Sequence, residues 1–484
     1  MNIIPAACVE FRARNVGWRN EAGKDCWKRC AVESGAGERL TRHSRRRPVL
    51  TSSITWTAFP ASPGFHRHVL GNELVTHQAT TAHDNDSSCY QDMSLLPLPP
   101  NPFAHLPSLN PLTLLRMSGL LTHKGFDLTD TPDLSGKIAV ITGGQAGIGR
   151  EIVAQLLLHG ISRVYILART ESRYEEAKEE WLQKHGLRTA YVEERTAFIK
   201  CDLGDLWDVK RAADELLGKL ERLDVLINNA ALPISTPPRL RSSSLTLDPT
   251  FATNHLGHFV LTNLLLPLLR ATPRTHNTAS SRIVTSSSSL HLLCRSLDLN
   301  LLTASAADPK TSRIPGARAV EGVWRYARSK LANILFTREL ARRLEPNVNT
   351  DSNPNSTDND GRSPHGPVYA NAFFPGNVAT EAMDAWSSLL GPLVGGLIKW
   401  VFGLIGQSPE EAAATAVFLA AAPGVEKSGR GGAYYVPVAR QERTSLVGED
   451  VQLAGELWRW SERAVEGILG TGWKDLRDGV EVDR

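Results

Sequence analysis

From about residue 134 onward, short apolar runs rich in β-branched residues alternate with helical patterns, and this alternation constrains the fold most strongly. Such a succession is typical of a parallel sheet with crossover helices. The runs are nearly all apolar, as expected of strands covered by helices on both faces. They span residues 137–142, 163–168, 196–201, 224–229, 282–287, 368–374 and 433–438. The sequence therefore predicts an α/β fold with a doubly wound parallel sheet of seven strands.

The chain divides by composition into a folded region and an extension. Residues 1–125 have no sustained apolar period and hold an arginine cluster and a proline-rich stretch, which predicts a disordered extension. We expect a catalytic domain over 126–440 and a C-terminal helical segment over 441–484. Two segments rich in loop-forming residues are expected to be inserts, 303–320 and 346–367. Met93 and Met117 leave open whether residues 1–92 belong to the mature protein.

Charge and cysteine usage exclude some functions. Lys and Arg total 54 against 51 Asp and Glu, a net charge of +3, which does not suggest a nucleic-acid partner. The six cysteines form no CxxC pair, so we expect a reducing compartment and no metal site. The N-terminus has no secretory pattern, and its acidic residues weaken a mitochondrial one. We therefore expect a cytoplasmic protein.

A glycine-rich loop follows the first predicted strand and precedes a helix. It contains Gly143, Gly147 and Gly149. Glycines allow a tight turn and close approach of the main chain, and a helix N-terminus attracts a pyrophosphate. An ordinary turn is the alternative for such a loop alone, but its place between strand and helix favours a dinucleotide.

Tyr326 and Lys330 are four residues apart in a helical pattern, so their side chains lie on one face of that helix. An ammonium about 4 Å from a phenol, at an effective dielectric near 20, is worth roughly 4 kcal/mol, or about three pKa units. This predicts a pKa for Tyr326 near 7, suitable for exchanging a proton. A core tyrosine beside a surface lysine is the alternative for an isolated pair.

Four motifs occur in the order seen in short-chain dehydrogenases/reductases. They are Thr142-Gly143-x-x-x-Gly147-x-Gly149, Asn228-Asn229-Ala230, Tyr326-x-x-x-Lys330 and Pro375-Gly376-x-Val378-x-Thr380. The stretches RIVTSSSSLH and YARSKLANILFTRELARRL most resemble the retinol-dehydrogenase-like branch. This resemblance, which covers about residues 125–440, implies a Rossmann fold and hydride transfer between a nicotinamide cofactor and an alcohol or carbonyl group.

The resemblance also implies roles for individual residues. Tyr326 would be the general acid in reduction and the general base in oxidation, and Lys330 would also bind the nicotinamide ribose. Ser288 would orient the substrate oxygen, with Ser287 as the alternative. Asn254 would hold an ordered water that connects Lys330 to solvent. The residues expected to contact the cofactor are Gly143, Gln145, Gly147, Ile148, Gly149, Arg169, Asp202, Leu203, Asn229, Ala230, Tyr326, Lys330, Pro375, Gly376, Val378 and Thr380.

The choice of cofactor depends on the end of the second strand. An acidic residue there would bind a ribose 2′-hydroxyl and favour NAD, whereas an arginine can neutralise a 2′-phosphate. The strand ends Ala168-Arg169-Thr170, so NADP(H) is favoured. The alternative is that Arg169 faces water and has no role in cofactor choice. Asp202 is expected to bind the adenine amino group, or else to cap the following helix.

An apolar stretch follows Thr380, and Pro392 and Lys399 interrupt it. The resemblance implies a substrate lid over 381–407, and hence a lipophilic substrate. Peripheral membrane contact through 386–406 is an alternative that could coexist with the lid.

The sequence favours an NADP(H)-dependent oxidoreductase that acts on a small lipophilic carbonyl or alcohol. A cofactor-binding regulatory or scaffold protein with little turnover is the alternative, in which the proline-rich segment would recruit partners. Substrate identity, reaction direction, hydride face and homo-oligomer formation are left open.

Overall fold

A computed structural model describes residues 125–234, 247–276, 278–302, 317–345, 366–377, 407–427, 429 and 431–474. All of them belong to one compact unit, Asp92–Arg484. The predicted extension over 1–125 therefore lies almost entirely outside the described residues. Most of the predicted inserts and of the 381–407 lid does so as well.

The sheet confirms the predicted doubly wound fold and adds one strand. The strand order is β3-β2-β1-β4-β5-β6-β7-β8, and every neighbouring pair is parallel except β7 with β8. The eighth strand is three residues long and all of its side chains are polar, which is why an apolar pattern does not reveal it. The strands are β1 Ile138–Thr142, β2 Arg163–Ala168, β3 Thr196–Lys200, β4 Val225–Asn228, β5 Ser281–Ser286, β6 Val368–Phe373, β7 Tyr434–Val436 and β8 Arg440–Glu442.

Helices cover both faces of the sheet. They are α1 Gly147–Leu158, α2 Glu171–His185, α3 Thr189–Arg195, α4 Leu206–Leu217, α5 Pro249–Phe251, α6 Gly257–Thr275, α7 Ala317–Leu344, α8 Pro409–Ala421, α9 Pro423–Lys427 and α10 Val451–Leu469. Helix α7 begins at Ala317, inside the predicted 303–320 insert. One apolar core contains residues of α1, α2, α3 and α8, and the other contains residues of α4, α6, α7 and α10.

The direction of winding reverses at β1. This strand pairs with β2 on one side and with β4 on the other, so the crossover helices leave in opposite directions. In open α/β sheets, ligands bind in the crevice at the carboxyl ends of the strands at such a point. The crevice here is bordered by the residues that follow Thr142 and Asn228.

Among the described helices, none combines the length and apolar character that crossing a membrane requires. The segment 386–406, for which the sequence leaves membrane contact open, lies outside the described residues.

Candidate active site

The glycine loop is shaped by main-chain geometry. Gly143 has φ +68° and Gly147 has φ +53°, conformations that favour glycine. A Cβ on Gly149 would overlap the carbonyl oxygen of Gly143 and lie 2.5 Å from Nδ2 of Asn229. The loop therefore tolerates no side chain at its tightest point.

The same loop fits the pyrophosphate of a dinucleotide. Helix α1 begins after Ala146 with no side chain capping its first N–H groups, so these donors are available to an anion. Oε1 of Gln145, in the turn itself, is buried and has no hydrogen-bond partner. Ile148 is half-buried in the first turn of the helix. A cradle lined by glycine and free N–H groups suits this ligand, whereas the Gln145 amide oxygen is an acceptor and would not bind a phosphate.

Thr142 joins the ends of β1 and β4. Its Oγ1 accepts hydrogen bonds from the main-chain N–H groups of Asn229 and Ala230, both at 3.0 Å. The Asn229 side chain donates back to the carbonyl oxygens of Thr142 and Gly143, at 3.1 and 3.4 Å. Asn229 thus braces the glycine loop with its amide.

The adenosine side of the crevice carries the other predicted cofactor residues. Arg169 is exposed directly after β2, and Leu203 is buried. Asp202 is exposed, and its Oδ1 accepts from the Gly204 N–H at 3.0 Å. The N-cap of α4 is Asp205, which accepts from the N–H groups of Trp207 and Asp208, so the capping alternative for Asp202 is wrong.

The predicted Pro375-Gly376 motif follows β6. Gly376 has φ +97°, and the main-chain N–H of Asn377 donates to Oε1 of Gln407 at 2.6 Å. The Gln407 N–H donates to the Asn377 carbonyl at 3.1 Å. Val378 and Thr380 lie outside the described residues.

Ser288 and Tyr326 meet beyond the end of β5. The Ser288 hydroxyl interacts with the Tyr326 phenol and opposes the rise of its pKa, and Oγ of Ser288 accepts a hydrogen bond from the Leu290 N–H at 3.2 Å. The Ser287 hydroxyl instead donates to the main-chain carbonyl of Lys330 at 2.8 Å. Of the two serines that the sequence left open, Ser288 faces the tyrosine.

Lys330 is buried beneath Tyr326. Its Nζ lies 5.5 Å from the centre of the Tyr326 ring and donates to the Ser286 carbonyl at 3.2 Å. Burial lowers the pKa of Lys330 to about 7 and raises the pKa of Tyr326 to about 12, although the hydrogen bond with Ser288 opposes the latter shift. The predicted pKa near 7 for the Tyr326 phenol is wrong, because the prediction included the attraction of the Lys330 charge and omitted the desolvation of the phenolate.

Asn254 lies in a π-helical turn, Ala252–Leu256, between α5 and α6. Its Oδ1 accepts from the Leu232 N–H at 2.7 Å, and its Nδ2 donates to Oγ of Ser329 at 3.0 Å. Ser329 donates in turn to the Tyr326 carbonyl at 2.7 Å. Isolated π turns are frequent at functional sites, and this one ties Asn254 to the helix that carries the tyrosine.

Four residues near the site were missed by sequence reasoning: His258, Ser329, Asn333 and Gln407. Asn333 donates to the Ser286 carbonyl at 3.0 Å, beside Lys330. Ser329 and Asn333 lie on the same helix as Lys330, and the spacing of one to three residues from it was an available signal. His258 and Gln407 act through contacts between distant segments, which no local pattern reveals.

The described residues contain no group of three or more side chains that could hold a metal ion.

Comparison with known proteins agrees with this arrangement. The family model for short chain dehydrogenase matches residues 137–293. The short chain dehydrogenase/reductase dpchH of Colletotrichum higginsianum is 33% identical over 366 residues, which are 74% of this chain and 82% of that protein. Retinol dehydrogenase 14 of Mus musculus is 34% identical over 342 residues, 69% of this chain and 87% of that protein.

A solved structure of an uncharacterised protein from Mycobacterium paratuberculosis is 25% identical and has a TM-score of 0.47, covering 71% of this chain and 98% of that one. This chain is an oxidoreductase that belongs to the short-chain dehydrogenase/reductase family, in its retinol-dehydrogenase-like branch.

Proposed function

We propose that the protein transfers a hydride between NADP(H) and a lipophilic carbonyl or alcohol, with Tyr326, Lys330, Ser288 and Asn254 as its active residues. The observation that carries the proposal is that the Tyr326 phenol interacts with the Ser288 hydroxyl while its ring lies over the buried Lys330 side chain. A substrate oxygen placed between the two hydroxyls would accept a hydrogen bond from each of them. The reduced nicotinamide, when bound, supplies the hydride.

The protonation state of Tyr326 favours reduction of a carbonyl over oxidation of an alcohol. With a pKa near 12, the Tyr326 phenol keeps its proton at neutral pH and can donate it to a carbonyl oxygen as negative charge develops there. The Lys330 ammonium lies on the same helix face and would stabilise the phenolate that remains. Asn254, held by Leu232 and Ser329, fixes the turn beside this proton path.

Arg169 supports NADP(H) as the cofactor. It is exposed at the carboxyl end of β2, where the adenosine ribose would lie, and the next acidic residue is Glu171 in helix α2. A guanidinium can bind a 2′-phosphate with two parallel hydrogen bonds. The glycine cradle and the uncapped start of α1 would hold the pyrophosphate.

A lipophilic substrate is supported by similarity to retinol dehydrogenase 14. Catalysis is also supported over a scaffold role by the buried Lys330 beneath the Tyr326 ring, because a protein that only binds the cofactor needs no path for a proton. Homo-oligomer formation, peripheral membrane contact through 386–406 and a cytoplasmic location stay predictions.

The experiment is an absorbance assay of NADPH and NADH oxidation against a panel of lipophilic aldehydes and ketones, with wild type and Arg169→Glu in parallel. We expect turnover with NADPH, and a loss of the preference for NADPH of roughly ten- to a hundredfold in Arg169→Glu, the effect of one or two charged hydrogen bonds. NADPH binding without turnover of any compound would support the regulatory alternative. An unchanged preference would remove the argument from Arg169.

A further inference from the structure

His258 lies in the first turn of α6, and it is 1% exposed. Its Nε2 is 2.8 Å from Oγ1 of Thr142, at the end of β1. Its Nδ1 is 3.0 Å from the main-chain oxygen of Asn254. The imidazole thus joins the strand end that opens the glycine loop to the π turn of the proton path.

The position of the imidazole proton follows from the bonds of Thr142. A threonine hydroxyl has two acceptor lone pairs and one proton. Both lone pairs are used by the N–H groups of Asn229 and Ala230. The hydroxyl proton can reach the Ile227 carbonyl only at 3.5 Å, so it points to Nε2 of His258. The histidine must then carry its own proton on Nδ1 and donate it to Asn254.

The environment keeps this imidazole neutral. Burial, with a smaller contribution from the nearby Lys330 ammonium, lowers the pKa of His258 to about 4, although the hydrogen bond to the Asn254 main chain opposes the shift. A neutral histidine has one donor and one acceptor nitrogen, and both are used here. Hydrogen bonds in such a buried setting are directional and strong, so the link has a defined geometry.

The bonds continue from Asn254 to the catalytic helix. The Asn254 amide donates to Ser329, and Ser329 donates to the main chain of Tyr326. A chain of hydrogen bonds therefore runs from Thr142 through His258, Asn254 and Ser329 to the residue that would transfer the proton. Every side chain along it is buried.

We propose that His258 is a positioning residue, which in its Nδ1-protonated form fixes the start of the glycine loop relative to the turn of Asn254 and the helix of Tyr326. This inference rests on the proposed function for its kinetic consequences, but its structural content does not. One arm of the imidazole, toward Thr142, acts on cofactor binding. The other arm, toward Asn254, acts on the proton-transfer step.

Three substitutions separate the two arms. In His258→Asn the amide nitrogen can take the place of Nδ1, so the bond to Asn254 is kept and the bond to Thr142 is lost. In His258→Gln the amide oxygen can take the place of Nε2, so the opposite bond is kept. His258→Phe preserves the ring shape and loses both.

His255→Phe is the matched control. His255 is one turn away, is also 1% exposed, and is bonded to Ser461 of α10. Its other side-chain partner is Asn333, which is not a member of the chain of hydrogen bonds from Thr142 to Tyr326. This control reports the effect of losing a buried imidazole from the same stretch of chain. Steady-state kcat, the KM for NADPH and the thermal unfolding midpoint are measured for all four variants.

We expect His258→Asn to raise the KM for NADPH about tenfold with kcat retained, and His258→Gln to lower kcat about tenfold with KM retained, since each loses one buried hydrogen bond. His258→Phe should show both effects. If His258→Phe changes the kinetic constants no more than His255→Phe does, or if the Asn and Gln variants share one pattern, the proposal is overturned. Should His258→Phe fail to fold, the Asn and Gln pair still decides.

The tautomer provides a readout that needs no turnover. Imidazole ¹⁵N NMR of the full chain should place the His258 proton on Nδ1, with His258→Gln used to assign the signal. A proton on Nε2 would overturn the proposal whatever the kinetics. Failure of wild type to bind NADPH would instead overturn the proposed function, while the NMR result would still decide this inference.

Discussion

The glycine loop and the candidate catalytic centre are built from different chemical groups. The loop presents main-chain groups and works because side chains are missing, as the overlap of any Gly149 Cβ with Gly143 shows. The candidate catalytic centre is made of polar side chains, of which Asn254, Ser288 and Lys330 are buried, and its proposed chemistry depends on the protonation of Tyr326 and Lys330. Cofactor binding and proton transfer should therefore be separable by mutation. Changes in the shape of the loop should affect binding, and changes in hydrogen bonds and charge should affect proton transfer.

The largest expected effect is on the loop. Gly149→Ala puts a methyl group against the Gly143 carbonyl and the Asn229 amide, so the turn must open and NADPH binding should be lost. Isothermal titration with NADPH measures this. Gly218→Ala is the control, because its Cβ would meet other atoms only at 3.5 Å, an ordinary contact, and it should bind like wild type. Equal affinities in both variants would contradict the main-chain account of the loop.

The next effect separates two adjacent serines in the catalytic centre. Ser288→Ala removes the hydroxyl bonded to Tyr326 and should lower kcat by about 10²–10³, the range for losing a donor to a developing oxyanion. Ser287→Ala removes a bond to the Lys330 carbonyl and should lower kcat less. NADPH affinity should stay the same in both. A reversed order of kcat values would assign the role to Ser287.

Lys330→Met tests how much the buried Lys330 side chain lowers the free energy of unfolding. The pKa of Lys330 is lower in the folded chain, about 7, than its ordinary value of 10.5, so between these pH values the unfolded state binds more protons. Stability of wild type should therefore rise with pH in this window, by up to about 1.4 kcal/mol per pH unit from this group.

The variant lacks this contribution, so it should be more stable than wild type at pH 7, and the gap should shrink by pH 9. Urea unfolding at the two pH values measures the gap, while the same variant should lose turnover. Parallel pH dependences in the two proteins would show that Lys330 is not desolvated as described.

The same contrast explains what the sequence could predict. The strands and the glycine loop depend on local patterns of apolar residues and glycine, so seven strands and the loop were predicted within a residue or two at each end. The short β8 and the early start of α7 at Ala317 lack an apolar pattern. Their positions depend on packing against other elements.

The sequence named the members of the candidate catalytic centre, and their roles stay a prediction. Tyr326, Lys330, Ser288 and Asn254 were named from motifs, and the structure brings Tyr326 and Ser288 into contact. The pKa values could not be predicted, because desolvation depends on every segment that packs over the site. The sequence gives no signal for His258, since its bonds to Thr142 and Asn254 require the folded arrangement.

The role of Tyr326 as the proton donor is tested most directly by measuring NADPH binding and NADPH oxidation in one variant, Tyr326→Phe. NADPH is bound first, its affinity is determined by fluorescence, and the complex is then mixed with a lipophilic aldehyde that wild type reduces. We expect the variant to keep the wild-type affinity for NADPH and to oxidise NADPH about 10²–10⁴ times more slowly, since this is the usual contribution of a general acid. Oxidation at the wild-type rate would contradict the assignment of Tyr326 as the proton donor.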